Sequence, residues 1–354
     1  MSVSHVGLVV GGAMIAGSLL SLYGGYLTDR LKPFRLILAF TGCFITGFVG
    51  MCLAPGIVVF FLCLVLFNFA YSVIDVAAKA TFGRLLPSDE QSRVYSMRYT
   101  LINIGYAVGP FIGAGLAGVS LKLPFVLSAA LGVLFCCVYA AYADRGLAHA
   151  PSNTRPFSFA QVGAVLLKDK RLVCFTVGGI LSAVMFGQFA AYLSQYLVVT
   201  TDAHQLYAVI TTLLAVNGGV VIALQYWVGK CIDQRYLTQW LIGGLALFLA
   251  GLVGFSMASS LVAWALAMVL FTLGEIIVFP TEYMFIDRIA PVHLRGMYYA
   301  AQNLSNLGAA LGPIVCGVSL AYLPPYAMFY VLAAFLIVGG GLYVLGGAMS
   351  NAST

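Results

Sequence analysis

The chain reads as an all-α membrane protein made of two equivalent helical bundles, and three observations predict this. Of its 354 residues, 62% are hydrophobic and only 8% charged, with a mean hydropathy of +1.01. A soluble domain carries about 25% charge. The apolar residues fall into eleven runs of roughly twenty, the length a helix needs to cross about 30 Å of hydrocarbon, without the alternation of membrane strands. The second half of the chain also repeats the first at an offset of about 204 positions.

In order, the runs cover roughly 6–28, 34–54, 57–82, 94–119, 124–142, 172–199, 207–228, 237–257, 262–286, 297–321 and 326–348. The breaks between them alternate in charge. Those at 29–35, 83–93, 143–171, 229–236 and 287–296 hold most of the basic residues, whereas the opposite breaks hold only Lys122 of all 17 Lys and Arg. Positive loops are retained in the cytoplasm, so the first set is expected to face inward. The opening residues Met1 to His5 have no basic stretch, and Asp29-Arg30 is no cleavage site, so no signal peptide is expected. The eight cysteines are scattered, most of them inside apolar runs, and read as small core residues.

The break after the first run, Gly25-Tyr26-Leu27-Thr28-Asp29-Arg30, returns as Gly229-Lys230-Cys231-Ile232-Asp233. In both copies a glycine precedes an aspartate by four positions, and both follow an aromatic, Tyr23 or Trp227. The same offset lays Leu66-Phe67 on Leu270-Phe271, Arg84 on Arg288 and Pro87 on Pro291. An offset of 203 lays Asn103-Ile104-Gly105 on Asn306-Leu307-Gly308 and Gly109-Pro110 on Gly312-Pro313. Two like halves are thus expected, 1–142 and 172–354, around a basic cytoplasmic linker at 143–171. The second half has six runs and the first five, so the first half is expected to lack one helix, through a late start codon or a truncation.

Gly25-x-x-x-Asp29-Arg30 resembles the loop signature of the major facilitator superfamily, and Gly105-x-x-x-Gly109-Pro110-x-x-Gly113 resembles the fifth-helix motif of its drug/proton antiporter branch. Stretches such as Leu224-Gln225-Tyr226-Trp227-Val228-Gly229 and Gly274-Glu275-Ile276-Ile277 extend the likeness over the whole chain, toward the dipeptide exporters of that superfamily. The resemblance implies twelve helices, the first absent here, and transport by alternating access. The branch often carries an arginine in its fourth helix, where Phe67-Asn68-Phe69-Ala70 has none. By the same resemblance Arg30 or Arg35 meets Asp75, and Asp29 caps the start of the run at 297–321.

Five ionisable residues lie inside the runs, Asp75, Lys79, Arg98, Glu275 and Glu282, and each needs a reason to be there. Glu275 is the deepest, about 18 Å along its helix from Asp287 at about 1.5 Å per residue. It either exchanges a proton, grips a substrate ammonium, or donates one structural hydrogen bond. Asp75, the second candidate for proton coupling, sits four residues before Lys79, so the two share a helix face and can pair. With Asp29, Arg30 and Arg35 they are expected to gate one half, and Glu282, Asp287 and Arg288 either gate the other half or form a plain interfacial pair.

Polar stripes at three- or four-residue spacing mark a pocket. They are Asn68, Tyr71, Ser72 and Asp75; Gln188, Tyr192 and Gln195; and Thr272, Glu275 and Phe279. Such a set suits a small zwitterion or amphipathic cation, or else holds helices together by hydrogen bonds. Gly105, Gly109, Pro110 and Gly113 are expected to pack the helix 94–119 closely on a partner. No spacing suggests a metal site, a nucleotide loop or a nucleophile–base pair, so neither enzyme nor cofactor is expected, and the basic linker is not read as a nucleic-acid patch. The expectation is a monomeric, proton-coupled exporter of small amphipathic molecules or dipeptides in a bacterial inner membrane. The alternatives are an uptake or sugar-efflux permease of the same fold, or an inactive truncated membrane protein.

Overall fold

Every apolar run folds as helix in the computed structural model, which describes residues 3–143, 159–187 and 189–349. The helices are α1 (Val3–Arg30), α2 (Pro33–Leu53), α3 (Ile57–Leu85), α4 (Ser88–Val119), α5 (Leu123–Tyr142), α6 (Phe159–Lys168), α7 (Lys170–Phe186), α8 (Phe189–Thr200), α9 (Ala203–Cys231), α10 (Leu237–Met257), α11 (Leu261–Ile289), α12 (Arg295–Gln302), α13 (Ser305–Tyr322) and α14 (Ala327–Ala348). Local chemistry sets several boundaries. Pro33 opens α2, where a missing N–H costs nothing, and the Asp202 carboxylate accepts from the Gln205 amide at 2.8 Å to cap α9. Among the described residues ten helical stretches are long and apolar enough to span a bilayer, and eleven when α7 and α8, bent by 41°, count as one. The bend falls at Gly187, where a Cβ would come within 2.7 Å of the Ala309 backbone on α13.

By its internal contacts the chain divides into two compact units that cut across the sequence halves. The first comprises Met1–Leu86, Val108–Asp169 and Ala290–Leu304, and the second Pro87–Ala107, Lys170–Ile289 and Ser305–Thr354. The first part of α4 therefore belongs with the later helices, and α12 with the early ones. In the first unit α3 packs on α1 and α2, α5 on α2, and α12 on α1 and α3. In the second, α11 packs on α9 and α10, and α7 on α13 and α14.

Lipid is as apolar as leucine, so these helices are held by close van der Waals packing and hydrogen bonds rather than by escape from water. The second unit interlocks aromatic rings: Phe248 lies 5.5 Å from Phe186 and 4.8 Å from Phe271, and Phe255 lies 5.5 Å from Trp264. The first unit has its own rings, with Phe48 4.8 Å from Phe67 and Phe40 5.3 Å from Phe69, and it also uses small residues. At the crossing of α1 and α12, a Cβ on Gly25 would sit 2.6 Å from the Gly296 carbonyl oxygen.

The internal repeat is visible in side-chain contacts. Arg295 donates to the Gly83 carbonyl in the first unit, and Gln91 donates to Asp287 at 3.0 Å in the second, each residue displaced by 204 from its counterpart. Gly25 meets Gly296 through its backbone, and their counterparts meet where the Ser92 hydroxyl donates to the Gly229 carbonyl.

Candidate functional site

Polar clusters interrupt the apolar packing among the described residues, and one of them centres on Glu275. One turn earlier on α11 stands Thr272, and both are buried. The Tyr99 hydroxyl, from α4, donates to Glu275 Oε1 at 2.5 Å. Asn217, from α9, donates through Nδ2 to Glu275 Oε2 at 2.6 Å and to Thr272 Oγ1 at 3.1 Å. The Tyr99 ring stacks on Phe279 with centroids 4.9 Å apart. Val221 and Ile276 close the cluster, and Gln225 donates to the Ile276 carbonyl at 3.2 Å. One carboxylate thus draws three helices of the second unit together. It is 8% exposed, and both its oxygens are met by uncharged donors.

The second cluster lies in the first unit. Asp75 and Lys79 pair at 2.8 Å along one face of α3. Asn303, at the break between α12 and α13, joins both: its amide donates to Asp75 at 3.1 Å and its carbonyl oxygen accepts from Lys79 at 2.9 Å. A lysine that is 3% exposed is tolerable because its charge is matched and its donors are used. The ring of Tyr26 lies 4.2 Å under the Arg30 guanidinium, and Arg35 is exposed.

The third cluster gathers on Asp29. Its carboxylate accepts from the backbone amides of Gly296 and Met297 at 2.7 and 2.9 Å, at the start of α12, where free amides and the helix dipole favour an anion. Arg84 adds a 2.7 Å ion pair. The spacing Gly25-x-x-x-Asp29 follows: the glycine admits α12 against α1, and one turn later the carboxylate reaches its amides.

Of the remaining candidates, Glu282 accepts from Tyr343 on α14. Asp287 accepts from Gln91, Gln91 accepts from Gln234 at 3.1 Å, and the exposed Arg288 lies 3.5 Å from the Gln234 carbonyl, so Asp287 and Arg288 share one chain of polar contacts. Asn68 donates to its own helix at Leu64 (2.8 Å), and Ser72 is buried. Tyr71 instead lines a cavity of about 300 Å³ in the first unit, with Thr41, Phe44, Ile74, Ser128 and Phe135. On α8, the Tyr192 hydroxyl and Gln195 Oε1 are buried with no hydrogen-bond partner among the described residues, an unusual state for polar atoms. Gln188 lies outside the described residues.

Gly105, Gly109 and Gly113 were expected to meet a partner helix, yet nothing among the described residues comes within 4 Å of a Cβ built on any of them. Pro110 lies within the same helix. No group of three potential ligands among the described residues is placed to hold a metal ion.

Tyr99, Asn217, Asn303 and Arg84 carry these clusters, and sequence reasoning did not select them. One signal was present: the 204 offset superposes Tyr99 on Asn303, and each of these reaches a carboxylate on another helix.

The family model of the Major Facilitator Superfamily matches residues 1–313. The uncharacterized MFS-type transporter YdeE of Escherichia coli (strain K12) is 35% identical over 350 residues, 98% of this chain and 87% of that protein. The multidrug resistance protein MdtH of Cronobacter sakazakii (strain ATCC BAA-894) is 25% identical over 311 residues, 87% of this chain and 74% of that one. Among solved structures, the transporter FucP in its outward conformation superposes with a TM-score of 0.77 over 99% of this chain and 91% of that one, at 13% identity, a likeness of fold. The chain belongs to the major facilitator superfamily, and is a multi-pass secondary transporter of small molecules rather than an enzyme.

Proposed function

We propose that this transporter exports small amphipathic molecules, dipeptides among them, in exchange for protons across a bacterial inner membrane. The observation that carries the reading is Glu275, a buried carboxylate whose donors, Tyr99 and Asn217, are uncharged and come from two other helices. An acid held in this way binds or releases a proton when those helices separate, which couples its charge to a change of conformation. Asp75, locked by Lys79 and Asn303, is the second titrating group, and the Asp29–Arg84 clasp on α12 acts as a gate. The unpartnered polar atoms of Tyr192 and Gln195 suit contact with a polar cargo. Export draws support from MdtH, whose name is that of a multidrug resistance protein. The basic breaks at 29–35, 83–93, 143–171, 229–236 and 287–296 set the cytoplasmic side.

The test is flux in proteoliposomes under an imposed pH gradient, with a panel of dipeptides, amphipathic cations and sugars. Dipeptides or amphipathic cations should move against their gradient, and Glu275→Gln should abolish this pH-driven movement while leaving cargo exchange at equal pH. Full pH-driven export by Glu275→Gln would refute the proton role, and flux restricted to sugars would refute the cargo.

A further inference from the structure

The aromatic that precedes each copy of the Gly-x-x-x-Asp turn has no part in the clusters above, and its surroundings differ between the copies. In the first unit Tyr23 and Tyr26 stack at 5.9 Å, and Phe159 of α6 packs edge-on against both rings, at 5.8 and 5.7 Å. The chain closes that notch with its own side chain. In the second unit the positions 204 residues on are Trp227 and Lys230, and among the described residues no aromatic of the linker lies on them.

Two cations gather there instead. Lys230 Nζ stands 4.4 Å from the Tyr226 ring centre and 5.4 Å from that of Trp227, and the Arg93 guanidinium is 5.9 Å from Tyr226. Both cations also lie against the Tyr226 hydroxyl. Among the described residues neither has a carboxylate partner, unlike Lys79 and Arg84. Asp233, three residues after Lys230, turns its carboxylate onto the Arg235 amide at 2.8 Å, and Glu90, three residues before Arg93, is exposed and makes no ion pair with it among the described residues. Trp227 is 63% exposed, and the group sits in the last turns of α9 and the first turns of α4, where a span leaves the hydrocarbon.

We propose that Arg93 and Lys230, gathered on Tyr226 and Trp227, bind the phosphodiester headgroup of an anionic phospholipid. Two unpaired cations within reach of one phenol supply the charge, the rings hold them in place without neutralising them, and the exposed indole covers the upper acyl chain. A zwitterionic lipid brings its own ammonium to the same place and loses the advantage.

Trp227 reports directly on this site. The protein with Trp227 as its sole tryptophan (Trp240→Phe, Trp264→Phe) is placed in phosphatidylcholine nanodiscs containing rising fractions of brominated phosphatidylglycerol or, separately, brominated phosphatidylcholine. A cation near the surface is worth about fivefold, so half-quenching by the anionic lipid is expected at a roughly 30-fold lower fraction. Arg93→Gln with Lys230→Gln should bring the two curves together. Equal quenching by both lipids in the parent, or a preference that survives the double substitution, would overturn the proposal. Recovery of fluorescence on adding millimolar inorganic phosphate would also overturn it, by assigning the site to a free anion. Should Trp264→Phe unsettle the fold, native mass spectrometry of the otherwise unmodified protein replaces quenching. More phosphatidylglycerol must then be retained by the parent than by the double variant.

Discussion

Asp29→Asn tests how far one clasp holds α1 and α12 together. Asparagine is nearly isosteric and can still accept from one of the two amides, so the substitution chiefly removes charge. What it leaves is Arg84, whose side chain is 7% exposed, without its 2.7 Å partner. Removing one member of a buried pair typically costs about 3–5 kcal/mol, mostly as the penalty of the charge left behind. Arg84→Met should cost less, because Asp29 keeps the Gly296 and Met297 amides at 2.7 and 2.9 Å. The double variant has no stranded cation and should be more stable than Asp29→Asn alone, with a coupling of about 2 kcal/mol. Thermal and denaturant unfolding of the four proteins in one detergent measures the cycle. Single effects that add to within about 0.5 kcal/mol would show that the two side chains do not act as a unit, and the clasp would be discarded.

The other clusters allow similar tests. Tyr99→Phe keeps the ring stacked on Phe279 and deletes one hydrogen bond to Glu275, so a loss of about 0.5–1.5 kcal/mol is expected in the melting curve, and a larger one for Asn217→Leu, which also frees Thr272. Lys79→Met should destabilise by about 3 kcal/mol or more, and adding Asp75→Asn should restore much of it; an unimproved double variant would mean that Asp75 is not what Lys79 neutralises. Gly296→Ala places a methyl 2.5 Å from the Gly25 carbonyl oxygen and 2.8 Å from Thr28 Cβ, and should cost about 1–3 kcal/mol or prevent folding. Gly105→Ala meets nothing within 4 Å among the described residues and should be neutral or stabilising by up to about 1 kcal/mol, as followed by thermal unfolding.

Sequence alone determined the class, the spans and the repeat, because each follows from composition and one-dimensional spacing. Few charges and runs near twenty residues leave helices in lipid as the answer, and the 204 offset was legible from pairs such as Arg84 and Arg288. The Asp75–Lys79 pair was also legible, since four residues make one helical turn. Tertiary structure alone decided who meets the buried acids. Tyr99 and Asn217 reach Glu275 from helices 176 and 58 residues away, and Asn303 reaches Asp75 across 228. Periodicity says which side of a helix a residue occupies and nothing about which helix faces it. The same limit applies to the glycines of α4: small residues at helical spacing permit a close crossing, but their spacing does not say which helix makes it, and among the described residues nothing lies within 4 Å of a Cβ on Gly105, Gly109 or Gly113.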